Sequence, residues 1–151
     1  MRTVHGLEEL KALVGQELGV SDWHVVTQEE VNLFADATHD HQWIHVDPAR
    51  CERESPFGRP IAHGYYTLSL APALLAEIMR FEGIKMGVNY GLNKMRLPSP
   101  VPVGSKVRLR ASLNGVELTP GGASGTIGLT FEVDGQAKPA CVAEAIYRYY
   151  F

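Results

Sequence analysis

The chain has 151 residues, and its hydrophobic content of 45% with 21% charged residues is typical of one globular domain spanning residues 1–151. The formal net charge of −3 forces no dense basic patch, which argues against nucleic acid as a partner. No run of apolar residues is long enough to span a bilayer, so we expect no membrane association.

The first 19 residues contain glutamates and lack the apolar stretch and the small-residue cleavage site of a secretion signal. We therefore expect a cytoplasmic protein. A reducing cytosol keeps Cys51 and Cys141 as thiols, and two cysteines are too few for a disulfide framework. Because neither has C-x-x-C spacing, we interpret both as structural.

The first predicted strand lies near residues 16–26. It is followed by Thr27-Gln28-Glu29-Glu30, in which Thr27 as N-cap and Glu30 at the third helical position form a capping box. The apolar face that follows predicts an amphipathic helix over residues 28–38. That face consists of Val31, Phe34, Ala35 and Thr38. A second short helix is predicted to begin at Asp47-Pro48, since Asp is a good N-cap and Pro suits a first turn.

After a turn-rich stretch at residues 56–60, a long apolar segment runs from Tyr65 to Phe81. Its apolar residues are too dense for a surface helix, so we predict a helix that is buried on most sides. Pro72 lies inside this segment and is expected either to bend the helix or to mark a later start.

The C-terminal half predicts four strands, at residues 84–97, 105–117, 124–134 and 138–150. Turn residues separate them, so we expect successive antiparallel strands. One long helix must pack against this sheet, which predicts an α+β architecture.

Four of the six histidines fall between positions 39 and 63: His39, His41, His45 and His63. Three interpretations compete. The segment is a solvated loop, or a metal site with His39, His41, His45, Asp40 and Asp47 as possible ligands, or an acid–base pair of one carboxylate and one imidazole. The metal interpretation lacks an H-E-x-x-H or other strong spacing, and no cysteine takes part.

Three motifs resemble those of the MaoC-like (R)-specific enoyl-CoA hydratases, and together they cover the chain from about residue 16 to its end. The first is Phe34-x5-Asp40-x4-His45-x-Asp47-Pro48, and the second is Pro60-Ile61-Ala62-His63-Gly64. The third is Asn93-Lys94-Met95-Arg96-Leu97-Pro98 followed by Pro102-Val103-Gly104. The sequence departs from the family pattern in having His39 for the usual Gly, and His41-Gln42-Trp43 for x-Asn-Pro. These departures resemble the nodulation protein N-like branch.

The resemblance implies a single hot dog domain, in which a curved antiparallel sheet wraps a long central helix. It implies reversible hydration of a trans-2-enoyl-CoA, or the corresponding acyl carrier protein thioester, to the (R)-3-hydroxyacyl product in fatty-acyl metabolism. Asp40 and His45 would be the catalytic pair, and the Gly64 N–H would bind the thioester oxygen. No metal or other cofactor is implied, because coenzyme A is part of the substrate. The candidate substrate-binding residues are Gln42, Ile61, Ala62, His63, Asn89, Tyr90, Asn93, Lys94 and Arg96.

Several alternatives stay open at this point. A hot dog acyl-CoA thioesterase shares the fold but directs water to the carbonyl carbon. A non-catalytic acyl-thioester-binding subunit would need neither Asp40 nor His45. For His63, a structural role in holding the loop competes with a place in the site wall. A single hot dog sheet leaves an exposed edge and an incomplete binding channel, so we expect a homodimer.

Overall fold

The computed structural model describes all residues, 1–151. The helices are α1 (Gly6–Ala12), α2 (Gln28–Thr38), α3 (Trp43–Val46), α4 (Pro48–Glu54), α5 (Gly64–Ser69) and α6 (Ala71–Ile78). The strands are β1 (Arg2–His5), β2 (Glu17–Val20), β3 (His24–Val25), β4 (Met79–Glu82), β5 (Met86–Arg96), β6 (Lys106–Thr119), β7 (Gly122–Val133) and β8 (Cys141–Tyr150). The predicted α+β class is confirmed, and no helix combines the length and apolar character needed to cross a membrane.

The main sheet is antiparallel throughout and has the order β2-β6-β7-β8-β5, with β3 also pairing with β6. The four predicted C-terminal strands are confirmed, and the predicted strand near residues 16–26 is present as β2 and β3. Gly121 lies in the turn between β6 and β7 with φ 77°, a left-handed conformation that glycine adopts without steric cost. Residue alternation along β7 and β8 places one face on the core.

Two apolar clusters hold these layers together. In the larger one, Leu74 and Ile78 of α6 pack with sheet residues such as Leu129 and Phe131. The smaller one joins α2 to α5 and includes Val31 and Tyr66. The smaller cluster matters for function, because it fixes two helices whose ends carry the candidate site.

The predicted helix from Tyr65 to Phe81 is wrong in two respects. It consists of two helices, α5 and α6, which meet at Leu70, and the chain leaves helical geometry at Met79. Pro72 lies in the first turn of α6, where its missing N–H costs no hydrogen bond. Burial is also one-sided, since one face packs on the sheet while the opposite face is exposed; that exposed face includes Tyr65, Ser69, Pro72, Ala76 and Glu77.

Three elements, β1, α1 and β4, were not predicted from the sequence. β1 pairs in parallel with β4, so a strand at the N-terminus depends on residues more than 70 positions away. The short helix α1 follows β1 and buries Leu10. Neither strand has a partner close in sequence, which is why local patterns did not identify them.

Candidate active site

Helix α2 delivers the chain to the candidate site. The Thr27 hydroxyl accepts a hydrogen bond from the Glu30 N–H at 3.2 Å, which confirms the predicted cap. The helix ends at Thr38, and its C-cap His39 adopts φ 61° and ψ 18°. This is the left-handed conformation that favours glycine, and His39 is the only residue other than glycine with positive φ. The sharp turn at His39 brings Asp40 out of the helix axis.

His45 lies on the short helix α3, which is tied down from two sides. The Gln28 side-chain amide donates to the His45 carbonyl at 2.7 Å, and the Ile61 N–H donates to the Ile44 carbonyl at 3.0 Å. The predicted start of the next helix is confirmed, because the Asp47 carboxylate caps α4 by accepting from the Arg50 N–H at 2.9 Å. His45 therefore lies on a segment fixed at both ends.

The His45 ring has one nitrogen engaged and one available. Its Nδ1 lies 2.6 Å from the Ile61 carbonyl oxygen, which accepts only, so Nδ1 carries the proton and Nε2 keeps its lone pair. The side chain is 7% exposed. Burial lowers the pKa of His45 below its ordinary value of 6.5, and the neighbouring His63 acts in the same direction, against the Ile61 hydrogen bond and the charge of Asp40. The ring is therefore set up as a neutral base.

His63 stacks on His45, with ring centroids 3.8 Å apart and an angle of 26° between the planes. Its Nε2 donates to the Asp40 carbonyl at 2.9 Å, and its Nδ1 is buried without a partner. The side chain is 3% exposed. The sequence-based alternative of a histidine that holds the loop fits this geometry.

Asp40 completes the group at the surface. Its side chain is about half exposed, and its Oδ1 lies 3.4 Å from the Gln42 N–H. One polar atom each from Asp40, His45 and His63 lies within 4.8 Å of the other two. A carboxylate and an imidazole lone pair at this separation can hold a water molecule between them.

Two of the residues considered as metal ligands, His41 and Asp47, are engaged elsewhere. His41 pairs with Asp36 at 2.8 Å, and Asp47 is engaged as a helix cap. His45 and His63 each use one ring nitrogen to donate to a backbone carbonyl. The remaining group of Asp40, His45 and His63 is close enough to share one metal ion or to act as a carboxylate–imidazole acid–base site.

Gly64 is the first residue of α5, directly after His63. A Cβ at this position would collide with the Leu97 side chain, so the close approach predicted for a ligand is occupied by Leu97 in the single chain. Ala62 is buried and its N–H donates to the Val101 carbonyl at 2.8 Å. The motif thus brings Ile61 and His63 to Asp40 and His45 and places Gly64 next to them in the chain, and Ala62 anchors it.

Asn89 and Tyr90 lie elsewhere, on the exposed strand β5. Both line a groove of about 360 Å³ between that strand and the exposed face of the α5–α6 segment, together with Leu68 and Pro72. The Arg148 guanidinium lies 3.6 Å from the centre of the Tyr90 ring. Direct contact of these residues with a substrate stays a prediction.

Asn93, Lys94 and Arg96 make no hydrogen bond or ion pair with Asp40 or His45. Lys94 is opposite Glu144 in the sheet, on the face away from the core, and Asn93 donates to the Glu144 carboxylate at 2.9 Å. Lys94 and Arg96 line a groove of about 420 Å³ on this outer face. The sequence predicts that all three residues lie on one strand, but it does not show which face of the sheet they occupy.

A hydrogen-bonded cluster behind the site was missed. The Tyr66 hydroxyl donates to the Glu30 carboxylate at 2.7 Å, and His24 Nε2 lies 3.0 Å from the same oxygen. Although partial burial raises the pKa of Glu30, the hydrogen bonds from Tyr66 and His24 lower it below its ordinary value. No sequence signal joins these residues, since Tyr66 lies 36 positions from Glu30.

The chain is similar to known proteins over most of its length. Residues 9–132 match the family model described as MaoC like domain. The chain is 57% identical over 150 residues to 3-hydroxyacyl-thioester dehydratase Z of Mycobacterium tuberculosis, covering 99% of both chains. It is 45% identical to nodulation protein N of Rhizobium meliloti, covering 93% of this chain and 88% of that protein.

The chain is also similar in structure to a solved protein. The (R)-hydratase from A. caviae involved in PHA biosynthesis superimposes with a TM-score of 0.71 at 26% identity. The superposition covers 89% of this chain and 94% of that one.

Proposed function

The chain belongs to the family of MaoC-like dehydratases with the hot dog fold, and on that premise we propose that Asp40 and His45 catalyse the reversible hydration of a trans-2-enoyl thioester to a 3-hydroxyacyl thioester. The observation that carries the proposal is the state of His45. Its Nδ1–H is held by the Ile61 carbonyl, so Nε2 is left as a base beside the Asp40 carboxylate. The enzyme is a carbon–oxygen lyase of fatty-acyl metabolism.

In the hydration direction, a water molecule lies between Asp40 and His45. His45 Nε2 removes a proton from the water as its oxygen bonds to C3 of the enoyl group. The C2–C3 π pair moves to C2, where a proton delivered by the same pair on the same face completes the addition. One water is consumed and no other reagent is required, since coenzyme A or acyl carrier protein is part of the substrate. The product has the (R) configuration, as the name of the A. caviae relative suggests.

The thioester oxygen accepts a hydrogen bond from the Gly64 N–H at the start of α5. Negative charge develops on this oxygen as water adds to C3, and a backbone donor at that point typically contributes about 10²–10³ in rate. The Leu97 side chain lies against Gly64 in the single chain and is 47% exposed, and this hydrogen bond requires that it move aside when the substrate binds.

The other proposed substrate contacts lie in separate places on the molecule. Gln42 and Ile61 flank Asp40 and His45, while Asn89 and Tyr90 line the groove along β5. Lys94 and Arg96 are the proposed contacts to the carrier phosphates, and Arg96 makes no ion pair within the chain. Burial of Ala62 and His63 favours a supporting role for both.

We further propose that residues 1–151 form one domain that assembles as a cytoplasmic homodimer through β5. Every residue of this edge strand except Met95 is exposed, including four large apolar side chains. Those are Met86, Val88, Tyr90 and Leu92. A long exposed apolar edge strand is otherwise an aggregation site, and a second copy would cover it and close the groove beside α5 and α6.

The test uses purified protein and crotonyl-CoA. We expect the absorbance of the conjugated double bond to fall without release of free thiol, and chiral analysis to give the (R)-3-hydroxy product. Thiol release would favour the thioesterase alternative, and an unchanged absorbance would favour the non-catalytic subunit. A panel of enoyl-CoAs of different lengths then defines the acyl chain that the groove accepts.

A further inference from the structure

His63 contacts both members of the catalytic pair but is itself shielded. Its ring lies between Phe34, with centroids 4.9 Å apart, and His45, with centroids 3.8 Å apart. At 3% exposure it has almost no surface for a substrate to touch. Any effect of His63 on the reaction therefore passes through Asp40 and His45.

The hydrogen bond from His63 fixes Asp40 through its backbone. Nε2 donates to the Asp40 carbonyl at 2.9 Å and lies 4.0 Å from Oδ2 of the same residue. Asp40 directly follows the left-handed turn at His39 and has only one other side-chain hydrogen bond, from the Gln42 N–H at 3.4 Å. Without the His63 donor, the backbone beneath the carboxylate has no side-chain anchor.

The unpartnered Nδ1 of His63 indicates why a histidine occupies this position. A buried acceptor without a donor is unfavourable, and a phenyl ring would pack in the same place without that penalty. A phenyl ring would, however, leave the Asp40 carbonyl without its donor. Only a ring that also carries an N–H both stacks on His45 and binds Asp40.

Stacking also concerns the proton that His45 gains during the reaction. The titratable groups against His63 are Asp40 and His45, and Phe34 covers its other side. Because its Nε2–H points to the Asp40 carbonyl, His63 turns the face of its ring, and not an N–H group, towards His45. That face holds the His45 ring in the plane in which its Nδ1–H reaches Ile61.

We propose that His63 is a positioning residue of the hydration reaction, which fixes the Asp40 backbone by its Nε2–H and the His45 ring by stacking. The proposal rests on the proposed function. In this proposal the Nε2–H of His63 makes the contact to Asp40, and the face of its ring makes the contact to His45. The variants His63→Gln and His63→Phe separate them, because glutamine keeps a donor near the Nε2 position and phenylalanine keeps the stacked ring.

We expect each variant to lower kcat for crotonyl-CoA by about 10- to 100-fold, as is typical when catalytic groups are misplaced, with KM changed less than twofold. In both variants the acid limb of the pH profile should move upward, since the neighbouring imidazole that lowers the pKa of His45 is gone. The matched control is His41→Gln, in the same loop but exposed and paired with Asp36, which should keep wild-type kcat and pH profile.

Two measurements keep the test decisive. Nitrogen-15 spectra of the imidazoles in the wild-type protein should show the Nε2–H form for His63 and the Nδ1–H form for His45, whatever the stability of the variants. The opposite form for His63, or variants with wild-type kcat and pH profile, overturns the proposal. If the wild-type protein leaves crotonyl-CoA unchanged, the proposed function fails instead, and the two failures are distinguishable.

Discussion

The catalytic loop between α2 and α5 and the edge strand β5 differ in where their groups find partners. In the loop, Asp47, His45 and His63 each bond to backbone within 25 positions of the chain. Along β5, one side of the strand bonds to β8 while the other side and its apolar side chains face outward. The loop finds its partners within one chain, whereas the outer side of the edge strand finds none there, and we propose that a second copy covers it. Chemistry and assembly are thus expected to respond to different mutations.

The largest effect is expected in the loop. Asp40→Asn or His45→Gln should lower kcat for crotonyl-CoA by about 10²–10⁴, because each removes a group that transfers or holds a proton, while the thermal unfolding curve stays close to that of the wild type. Steady-state kinetics and circular dichroism measure the two quantities. Asp36→Asn is the control, as an exposed carboxylate in the same segment. Near wild-type turnover by both loop variants would rule out the pair.

A substitution in the edge strand should act on assembly first. Leu92→Lys places a charge where an apolar side chain is 46% exposed, and burial of a leucine typically contributes about 1.5–3 kcal/mol. We expect the dimer dissociation constant to rise at least about tenfold, measured by sedimentation. Leu118→Lys, on an apolar residue at the far end of β6, is the control. If Leu92→Lys had the same mass in solution as the wild-type protein at every concentration, β5 would be excluded as the interface.

The acid limb of the pH dependence should follow His45. Since burial lowers the pKa of His45, the neutral base persists below pH 6.5, and kcat/KM should fall only as the pH drops through that lowered value. Protonation removes the lone pair on Nε2, so kcat/KM should decrease as the pH falls. An acid limb above pH 6.5, or the same limb in His45→Gln, would contradict this assignment.

The smallest effect is expected at His39, which bounds the loop. Its φ of 61° costs a residue other than glycine about 1–2 kcal/mol of folding free energy. Glycine avoids this cost but offsets part of the gain, because its unfolded chain has more conformational entropy. His39→Gly should therefore stabilise the protein by about 1 kcal/mol and raise Tm by about 2–4 °C. Thermal melting checks this, with His41→Gly as the control that should not stabilise. A lower Tm for His39→Gly would mean that the imidazole makes a compensating contact.

Local patterns predicted the elements on which the loop depends. The capping box at Thr27, the N-cap at Asp47 and the alternating strands all follow from residues within a few positions of one another, and all are confirmed. The same patterns failed for the helix over Tyr65–Phe81. Its apolar density does not distinguish a helix buried on all sides from one with an exposed face. Likewise, the sequence placed Lys94 and Arg96 on a strand but could not give the face.

The amino-acid sequence by itself determined the motifs that carry Asp40, His45 and Gly64, because their spacing and caps are local properties. Only the tertiary structure decided which nitrogen of each histidine is free. The Ile61 carbonyl lies 16 positions from His45, and the Asp40 carbonyl lies 23 positions from His63. A ring's tautomer is set by the acceptor that it meets, and those acceptors reach the rings only when residues 40–45 and 61–63 fold against each other.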